Sequence, residues 1–180
     1  MQKAQTLVVD IDGVIGDLSI PILRTVSRRR GFTIPKSRLT CWDYRDADIN
    51  IPEEINLFFA EPANLQRVPL VPGAREGLKA ASKHLNILIV TARHPACEAA
   101  TRYWLLNHGI RYPLLHKWRK HEVPGDILVD DRPENCEAWA KTGRYAYLFT
   151  QPWNAQAVTD DLVRRVSGWE QMSRILGGKK

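Results

Sequence analysis

Two aspartates separated by one residue follow an apolar run near the start of the chain. Thr6–Val9 is nearly continuously apolar, as a central strand of a parallel sheet is, and Asp10 and Asp12 come directly after it. Two carboxylates this close repel each other unless a cation or a shared proton offsets their charge. Gly13 permits a tight backbone bend beside a bound anion. The alternative for a single such aspartate is a helix cap or a turn.

A second acidic pair, Asp130 and Asp131, follows the apolar run Ile127–Val129. Parallel strands place their carboxyl ends at the same edge of the sheet, so we expect Asp10 and Asp130 to come within reach of one ion. A few carboxylates completed by water and a substrate phosphate form the oxygen ligand set of Mg²⁺. The alternative for Asp131 is a capping box with Glu134, three residues later.

Two further polar residues fall near strand ends. Thr91 follows the apolar run Ile87–Val90, and its hydroxyl with the backbone N–H groups that come next, beginning at Ala92, predicts an anion-binding turn. Lys120 lies just before the third apolar run, within the basic stretch Lys117–His121. A solvated face is the ordinary interpretation of such a stretch, and it stays open for most of these residues.

The elements that must position these residues are short strands alternating with helices, which predicts a parallel sheet with helical crossovers. The expected strands are Thr6–Val9, Ile87–Val90, Ile127–Val129 and Tyr145–Phe149. Helices are expected after Pro72, from Ala96 to Gly109, from Pro133 to about Gly143, and from Val158 to Met172. Three of the strands end in polar residues, at the edge where ligands bind in open α/β sheets.

The segment 17–71 departs from this alternation. Apolar residues at helical spacing predict one helix that ends at Gly31 and a second over Pro52–Ala60. We therefore predict a small, mostly helical cap over 17–71, inserted after the first strand, and an α/β core over 1–16 and 72–180.

Four aromatic residues lie in this cap, and one of them could stack on a nucleobase. For each of them, packing inside the cap is the preferred alternative. They are Trp42, Tyr44, Phe58 and Phe59. The run Arg28–Arg30 is expected to form the exposed end of a cap helix.

Composition excludes several classes of protein. The chain has 180 residues, a formal net charge of +6, 44% hydrophobic and 26% charged residues, which suits one globular α/β domain and excludes disordered and fibrous chains. The apolar runs are too short to span a bilayer and no signal-peptide pattern follows Met1, so we expect a cytoplasmic protein without a membrane partner. The three cysteines form no C-x-x-C pair and are expected to be free thiols. The positive charge leaves nucleic acid open as a partner, but scattered basic residues do not favour it.

Taken in order, these residues resemble the haloacid dehalogenase-like (HAD) phosphatase superfamily, and more closely the 5′(3′)-deoxyribonucleotidases. The resemblance rests on D-x-D-G-V-x-x-D at Asp10–Asp17, on Thr91, on Lys120 ten residues before Asp130, and on the stretches Gly125–Arg132 and Gln151–Asn154. It implies a Rossmann-like three-layer sandwich, with a central parallel sheet and a small helical cap inserted after the first strand.

The resemblance also implies a hydrolase that removes phosphate from nucleoside monophosphates. Asp10 would be the nucleophile that forms an aspartyl-phosphate, and Asp12 would act as general acid and then as general base. Asp10, Asp130 and the backbone carbonyl of Asp12 would hold Mg²⁺. Asp131 would have a supporting role, either orienting a metal-bound water or capping a helix.

The phosphate-binding residues implied by the resemblance are Gly13, Thr91, Ala92 and Lys120. Spacing from the acidic pair favours Lys120 over Lys117. For Arg93, contact with substrate and exposure to solvent both stay open.

Two other functions remain alternatives. The same machinery could act on another small phosphate ester or on the phosphorylated end of a nucleic acid. A phosphoacceptor signalling domain uses the same residue types on a similar sheet. The order of motifs favours the enzyme, because D-x-D comes first and the adjacent acidic pair comes after Lys120.

Overall fold

The computed structural model describes residues 4–42 and 51–177 of the chain. Six parallel strands form one sheet in the order β3-β2-β1-β4-β5-β6. The strands are β1 (Thr6–Val9), β2 (Asn86–Thr91), β3 (Leu114–His116), β4 (Ile127–Asp130), β5 (Tyr145–Phe149) and β6 (Val163–Val166). The helices are α1 (Ser19–Arg30), α2 (Ile51–Ala60), α3 (Ala74–Ala81), α4 (Glu98–Asn107), α5 (Pro133–Ala140) and α6 (Trp169–Leu176), with short 3₁₀ helices between them.

Alternate residues of the central strand enter two hydrophobic cores, one on each face of the sheet. Leu7 and Val9 pack in a cluster with residues of α3, α4 and α6, whereas Val8 packs with residues of α5. A strand that is buried on both faces needs an apolar residue at every position, which is why Thr6–Val9 lacks polar alternation after its first residue. The expected three-layer α/β sandwich with a parallel sheet is confirmed.

The order of the strands reverses next to β1. The chain crosses from β1 to β2 and β3 on one side, and then returns to place β4, β5 and β6 on the other. Ligands of open α/β sheets bind at the carboxyl edge where such a reversal separates the connecting loops. The carboxyl ends of β2, β1 and β4 are therefore the place to look for a site.

The helix predicted from Val158 to Met172 is wrong in its first half. Residues 158–162 form no helix, β6 follows over Val163–Val166, and α6 begins only at Trp169. Val163 and Val166 are buried at a spacing of three, which is also helical spacing, so the apolar pattern did not distinguish the two structures. The strand β3 was not predicted, since three residues are too few to show a pattern.

The segment between β1 and α3 contains only helical elements among its described residues. α1 ends at Gly31, whose φ of 74° is the left-handed conformation that glycine adopts without strain. Ile22 and Val26 of α1 and Phe58 of α2 share one buried cluster with Leu7. These helices are thus packed onto the sheet domain. Tyr44 lies outside the described residues.

None of the helices in the described ranges has both the length and the apolar character needed to cross a membrane.

Candidate active site

Sheet register brings three polar strand ends together. Val9 of β1 lies opposite Val129 of β4, and the backbone N–H of Asp10 donates to the Val129 carbonyl at 3.0 Å. Asp10 and Asp130 therefore extend from neighbouring strands at the same level. Thr91 is the last residue of β2, on the other side of β1.

Three carboxylates form a buried cluster at this edge. One oxygen each from Asp10, Asp130 and Asp131 lies within 4.8 Å of the other two, and all three residues are buried. The predicted approach of Asp10 and Asp130 is thus present in the structure. Asp131, for which the sequence indicated only a supporting role, joins the cluster through its own carboxylate. Asp131 forms no capping box with Glu134. The residue at the N-cap position of α5 is Arg132, and its side chain makes no capping hydrogen bond.

A buried lysine sits between two of these carboxylates. Lys120 Nζ lies 2.7 Å from Asp10 Oδ1 and 2.6 Å from Asp130 Oδ2, and its side chain is 1% exposed. An ammonium carries three N–H donors, so one remains for a further anion when two face the carboxylates. Lys117, in contrast, is half-exposed and pairs with Glu122 at 2.7 Å. The structure therefore places Lys120, rather than Lys117, in the site.

The cluster holds more negative charge than one ammonium neutralises. Burial raises the pKa of Asp10 to about 7, with Lys120 opposing this effect and Asp130 adding to it. Burial and the charge of Asp130 also raise the pKa of Asp131 well above its usual range. Burial by itself lowers the pKa of Lys120, but Asp10 and Asp130 together raise it above its ordinary value. Buried carboxylates with raised pKa values need either a proton or a cation in addition to Lys120. The oxygen donors of this cluster therefore fit a divalent metal ion.

Three side chains that sequence reasoning did not assign hold the acidic pair in place. Asn135 donates to both oxygens of Asp130, at 3.1 and 3.0 Å. Trp153 Nε1 donates to Asp131 Oδ2 at 2.8 Å, and Asn154 Nδ2 donates to the Asp131 carbonyl at 2.7 Å. The stretch Gln151–Asn154 carries a sequence signal only as part of the family resemblance. Asn135 had no signal beyond its place five residues after Asp130.

Gly13 shapes the turn after β1. Its φ is 83°, and a Cβ added there would lie 2.3 Å from Asp131 Oδ2. Its backbone N–H donates to the Gly16 carbonyl at 2.8 Å, and its carbonyl accepts from Gln151 Nε2 at 2.5 Å. The backbone N–H of Gly13 is therefore not free for the predicted contact with phosphate, because it is used within the turn. Gly13 instead leaves room for the Asp131 carboxylate.

The turn after β2 places Thr91 and Ala92 at the same opening. Both line a pocket of about 410 Å³ together with Asp10, Asp12 and Lys120. The Thr91 hydroxyl accepts from the Arg93 backbone N–H at 3.2 Å. Among the described residues, the Ala92 N–H donates to no protein oxygen, so it is available for an anion.

Asp12 and Arg93 form a bidentate ion pair at the side of this pocket. Arg93 Nε lies 2.8 Å from Asp12 Oδ2, and Nη2 lies 2.6 Å from Oδ1. The side chain of Arg93 is 1% exposed, so exposure to solvent, one of the two alternatives for this residue, is wrong. The Asp12 carboxylate faces Arg93 and is not part of the acidic cluster.

The pocket extends from the sheet edge to the helical segment 17–71. Its lining includes four aromatic side chains, which are Trp42, Phe59, Trp118 and Trp153. Of the aromatic residues in the predicted cap, Trp42 and Phe59 thus line the pocket, whereas Phe58 is buried in the hydrophobic cluster. Arg132 lies against the Trp42 ring, 3.6 Å from its centroid. The run Arg28–Arg30 is exposed at the end of α1, as expected.

The fold is similar to that of HAD-like hydrolases of known structure. The haloacid dehalogenase-like hydrolase SP0104 from Streptococcus pneumoniae superposes with a TM-score of 0.61, covering 97% of this chain and 100% of that chain at 14% identity. YfnB from Bacillus subtilis, provisionally named a HAD hydrolase and solved bound to magnesium, gives a TM-score of 0.61 over 97% of this chain and 99% of its own at 12% identity. At such identities the likeness concerns the fold alone.

Comparison of the sequence with protein families identifies the family of this chain. Residues 4–179 match the family model described as 5′ nucleotidase, deoxy (pyrimidine), cytosolic type C protein (NT5C), so the chain belongs to this family and is an enzyme of the phosphatase and nucleotidase type. A relative from Staphylococcus epidermidis is 27% identical over 182 residues, 93% of each chain. Another, from Chlorobaculum tepidum, is 28% identical over 161 residues, 81% of this chain and 79% of its own. Both bear provisional names as 5′(3′)-deoxyribonucleotidases, which confirms the resemblance seen in the sequence.

Proposed function

We propose that this enzyme is a Mg²⁺-dependent phosphomonoester hydrolase that dephosphorylates nucleoside monophosphates through an aspartyl-phosphate on Asp10. The observation that supports this most directly is the buried cluster of Asp10, Asp130 and Asp131 beside Lys120 and the pocket. A carboxylate next to an excess of buried negative charge becomes an effective nucleophile toward phosphate only when positive charge is supplied.

Asp10, Asp130 and the backbone carbonyl of Asp12 would hold the divalent cation, with Asp131 beside them. When bound, the cation supplies the positive charge that offsets repulsion between a carboxylate nucleophile and a phosphate. The magnesium bound to YfnB, which has a similar fold, is in line with this choice of metal.

The chain's own residues then divide the work. Lys120, with its remaining N–H donor, and the Thr91 hydroxyl and Ala92 N–H would bind the phosphoryl oxygens and stabilise charge during transfer. Asp10 would attack phosphorus. Asp12 lines the pocket and would give a proton to the leaving alcohol, and then take one from the attacking water.

The pocket suits a small monophosphate ester rather than a polymer. A volume of about 410 Å³ lies in the range of small-molecule sites. Aromatic side chains on its wall offer faces on which a nucleobase can stack. The names of the relatives point to deoxyribonucleotides, and we propose this substrate class for the present chain. The segment 17–71 would then act as the cap over a core formed by 1–16 and 72–180.

The test is phosphate release from a panel of deoxyribonucleoside and ribonucleoside monophosphates, sugar phosphates and p-nitrophenyl phosphate, with and without Mg²⁺. Asp10→Asn should lower turnover by at least about 10³-fold, because it removes the nucleophile. Asp161→Asn, at an exposed position outside the pocket, is the matched control and should retain wild-type turnover. Equal release by wild type and Asp10→Asn would overturn the proposed mechanism, and a preference for sugar phosphates would overturn the proposed substrate.

A further inference from the structure

Arg93 binds both oxygens of Asp12 with two N–H groups of one guanidinium edge. The two contacts, 2.8 Å from Nε to Oδ2 and 2.6 Å from Nη2 to Oδ1, have the fork geometry that fixes the plane of a carboxylate as well as its position. The residues are 81 apart in the sequence, one after β1 and the other after β2.

Packing from two other elements holds the guanidinium itself in place. Nη1 donates to Thr101 Oγ1 of α4 at 3.3 Å. The guanidinium carbon lies 5.6 Å from the ring centroid of Trp104 in α4 and 5.8 Å from that of Phe59 in α2. The side chain of Arg93 is only 1% exposed, so these contacts enclose it. Both residues line the pocket, and Asp12, whose side chain is 26% exposed, is the more accessible of the two.

We infer that Arg93 is a positioning residue that orients the Asp12 carboxyl group for proton transfer. This inference rests on the proposed function, because it concerns the acid and base step of the same site. The Nε and Nη2 donors of Arg93 face Asp12 and Nη1 faces Thr101, so we assign Arg93 no direct contact with substrate. The guanidinium edge that could bind a phosphate already donates to both oxygens of Asp12.

The two chemical steps show why a fixed carboxylate is useful. In the first, the bond from Asp10 to phosphorus forms, the bond from phosphorus to the leaving oxygen breaks, and that oxygen takes the proton of Asp12. Asp12 is then the carboxylate that Arg93 binds. In the second, Asp12 takes a proton from water as the water oxygen attacks phosphorus and the bond to Asp10 breaks. One carboxyl group, held beside the pocket by Arg93, serves both steps.

Leaving-group dependence distinguishes this role from a structural one. Benzyl phosphate and p-nitrophenyl phosphate are similar in size, but benzyl alcohol needs a proton on leaving whereas p-nitrophenolate is stable without one. Loss of Asp12 orientation should therefore slow the first ester selectively. We expect Arg93→Met to lower kcat/KM, which reports only the steps up to departure of the leaving group, about 10²-fold on benzyl phosphate and less than about threefold on p-nitrophenyl phosphate. Arg93→Lys keeps the positive charge but removes the two parallel N–H donors, and should give an intermediate loss of activity on benzyl phosphate.

The experiment measures kcat and KM of wild type, Arg93→Met, Arg93→Lys and Asp12→Asn, with Arg102→Met as the matched control. Arg102 lies on α4, is half-exposed and pairs with Glu98, so its replacement should change neither ester. Circular dichroism and thermal unfolding verify that each variant folds. In the Asp12→Asn background, Arg93→Met should cause no further loss on benzyl phosphate, because the residue acts through Asp12.

Equal losses of kcat/KM on the two esters, a rise in KM with kcat unchanged, or faster turnover by Arg93→Met would each overturn the positioning role. These outcomes differ from a failure of the proposed function. If Asp10→Asn hydrolyses both esters as well as wild type does, the proposed function fails and the inference fails with it.

Discussion

Lys120 and Asp130 form an ion pair that is almost fully removed from solvent, with Nζ 2.6 Å from Oδ2 and side-chain exposures of 1% and 0%. Lys120 also contacts Asp10, so one ammonium links the carboxyl ends of β1 and β4. Removing one partner of a buried pair leaves uncompensated charge, whose cost exceeds what the pair contributes to stability.

Lys120→Met should therefore destabilise the metal-free protein by about 3–5 kcal/mol and abolish phosphate release. Chemical denaturation in EDTA and a turnover assay measure the two effects. Lys117→Met is the matched control, since Lys117 makes only a half-exposed pair with Glu122, and should change stability by less than about 1 kcal/mol. Similar stability losses in the two variants would contradict the role assigned to Lys120.

The raised pKa of Asp10 predicts how stability depends on pH without metal. The folded state holds a proton on Asp10 up to about pH 7, whereas the unfolded state releases it near pH 4. Because the folded state binds more protons between these values, its stability should fall as pH rises from about 4 to about 7. Thermal unfolding in EDTA across this range measures the slope, and Asp10→Asn should make it shallower, with the raised pKa of Asp131 supplying the remainder. A slope that is the same in both proteins would refute this source of the pH dependence.

Trp153 should tune metal affinity through its hydrogen bond to Asp131 Oδ2. Trp153→Phe removes the N–H donor and keeps an aromatic ring, and loss of such outer contacts weakens metal binding by about 10–100-fold. Calorimetric titration with Mg²⁺ measures the affinity. Trp118→Phe, at a largely exposed ring of the same pocket, should leave the affinity unchanged. Unchanged affinity in Trp153→Phe would show that this hydrogen bond does not position Asp131.

Gly77 offers a test of packing between α3 and α6. A Cβ there would lie 2.3 Å from Cε3 of the buried Trp169. Glycine to alanine in a helix ordinarily stabilises by about 1 kcal/mol, but overpacking costs about 1–3 kcal/mol, and we expect the second effect to dominate. Urea unfolding of Gly77→Ala should show net destabilisation. Lys79→Ala, on the exposed side of α3, should stay within about 0.5 kcal/mol of wild type.

The strands that are continuous apolar runs were predicted correctly, whereas a strand whose apolar spacing also fits a helix was not. β1, β2, β4 and β5 were predicted from apolar runs that end in polar residues or turns. β6 was not, because V-R-R-V places two apolar residues at a spacing that a helix also uses. Pairing with β5 at the register Ala146 to Val163 decides between the two structures, and such pairing is not visible in a single segment.

The order of the acidic residues and the lysine along the chain is enough to predict which of these side chains meet, since polar residues after buried strands come together at one edge of a parallel sheet. Only tertiary structure decided what each carboxylate touches. Asp12 pairs with Arg93 across 81 residues, and Asp131 accepts from Trp153 across 22. These partners come from loops and helices that carry no shared periodicity, and their contacts exist only once α4 and the loop after β5 have packed against the sheet.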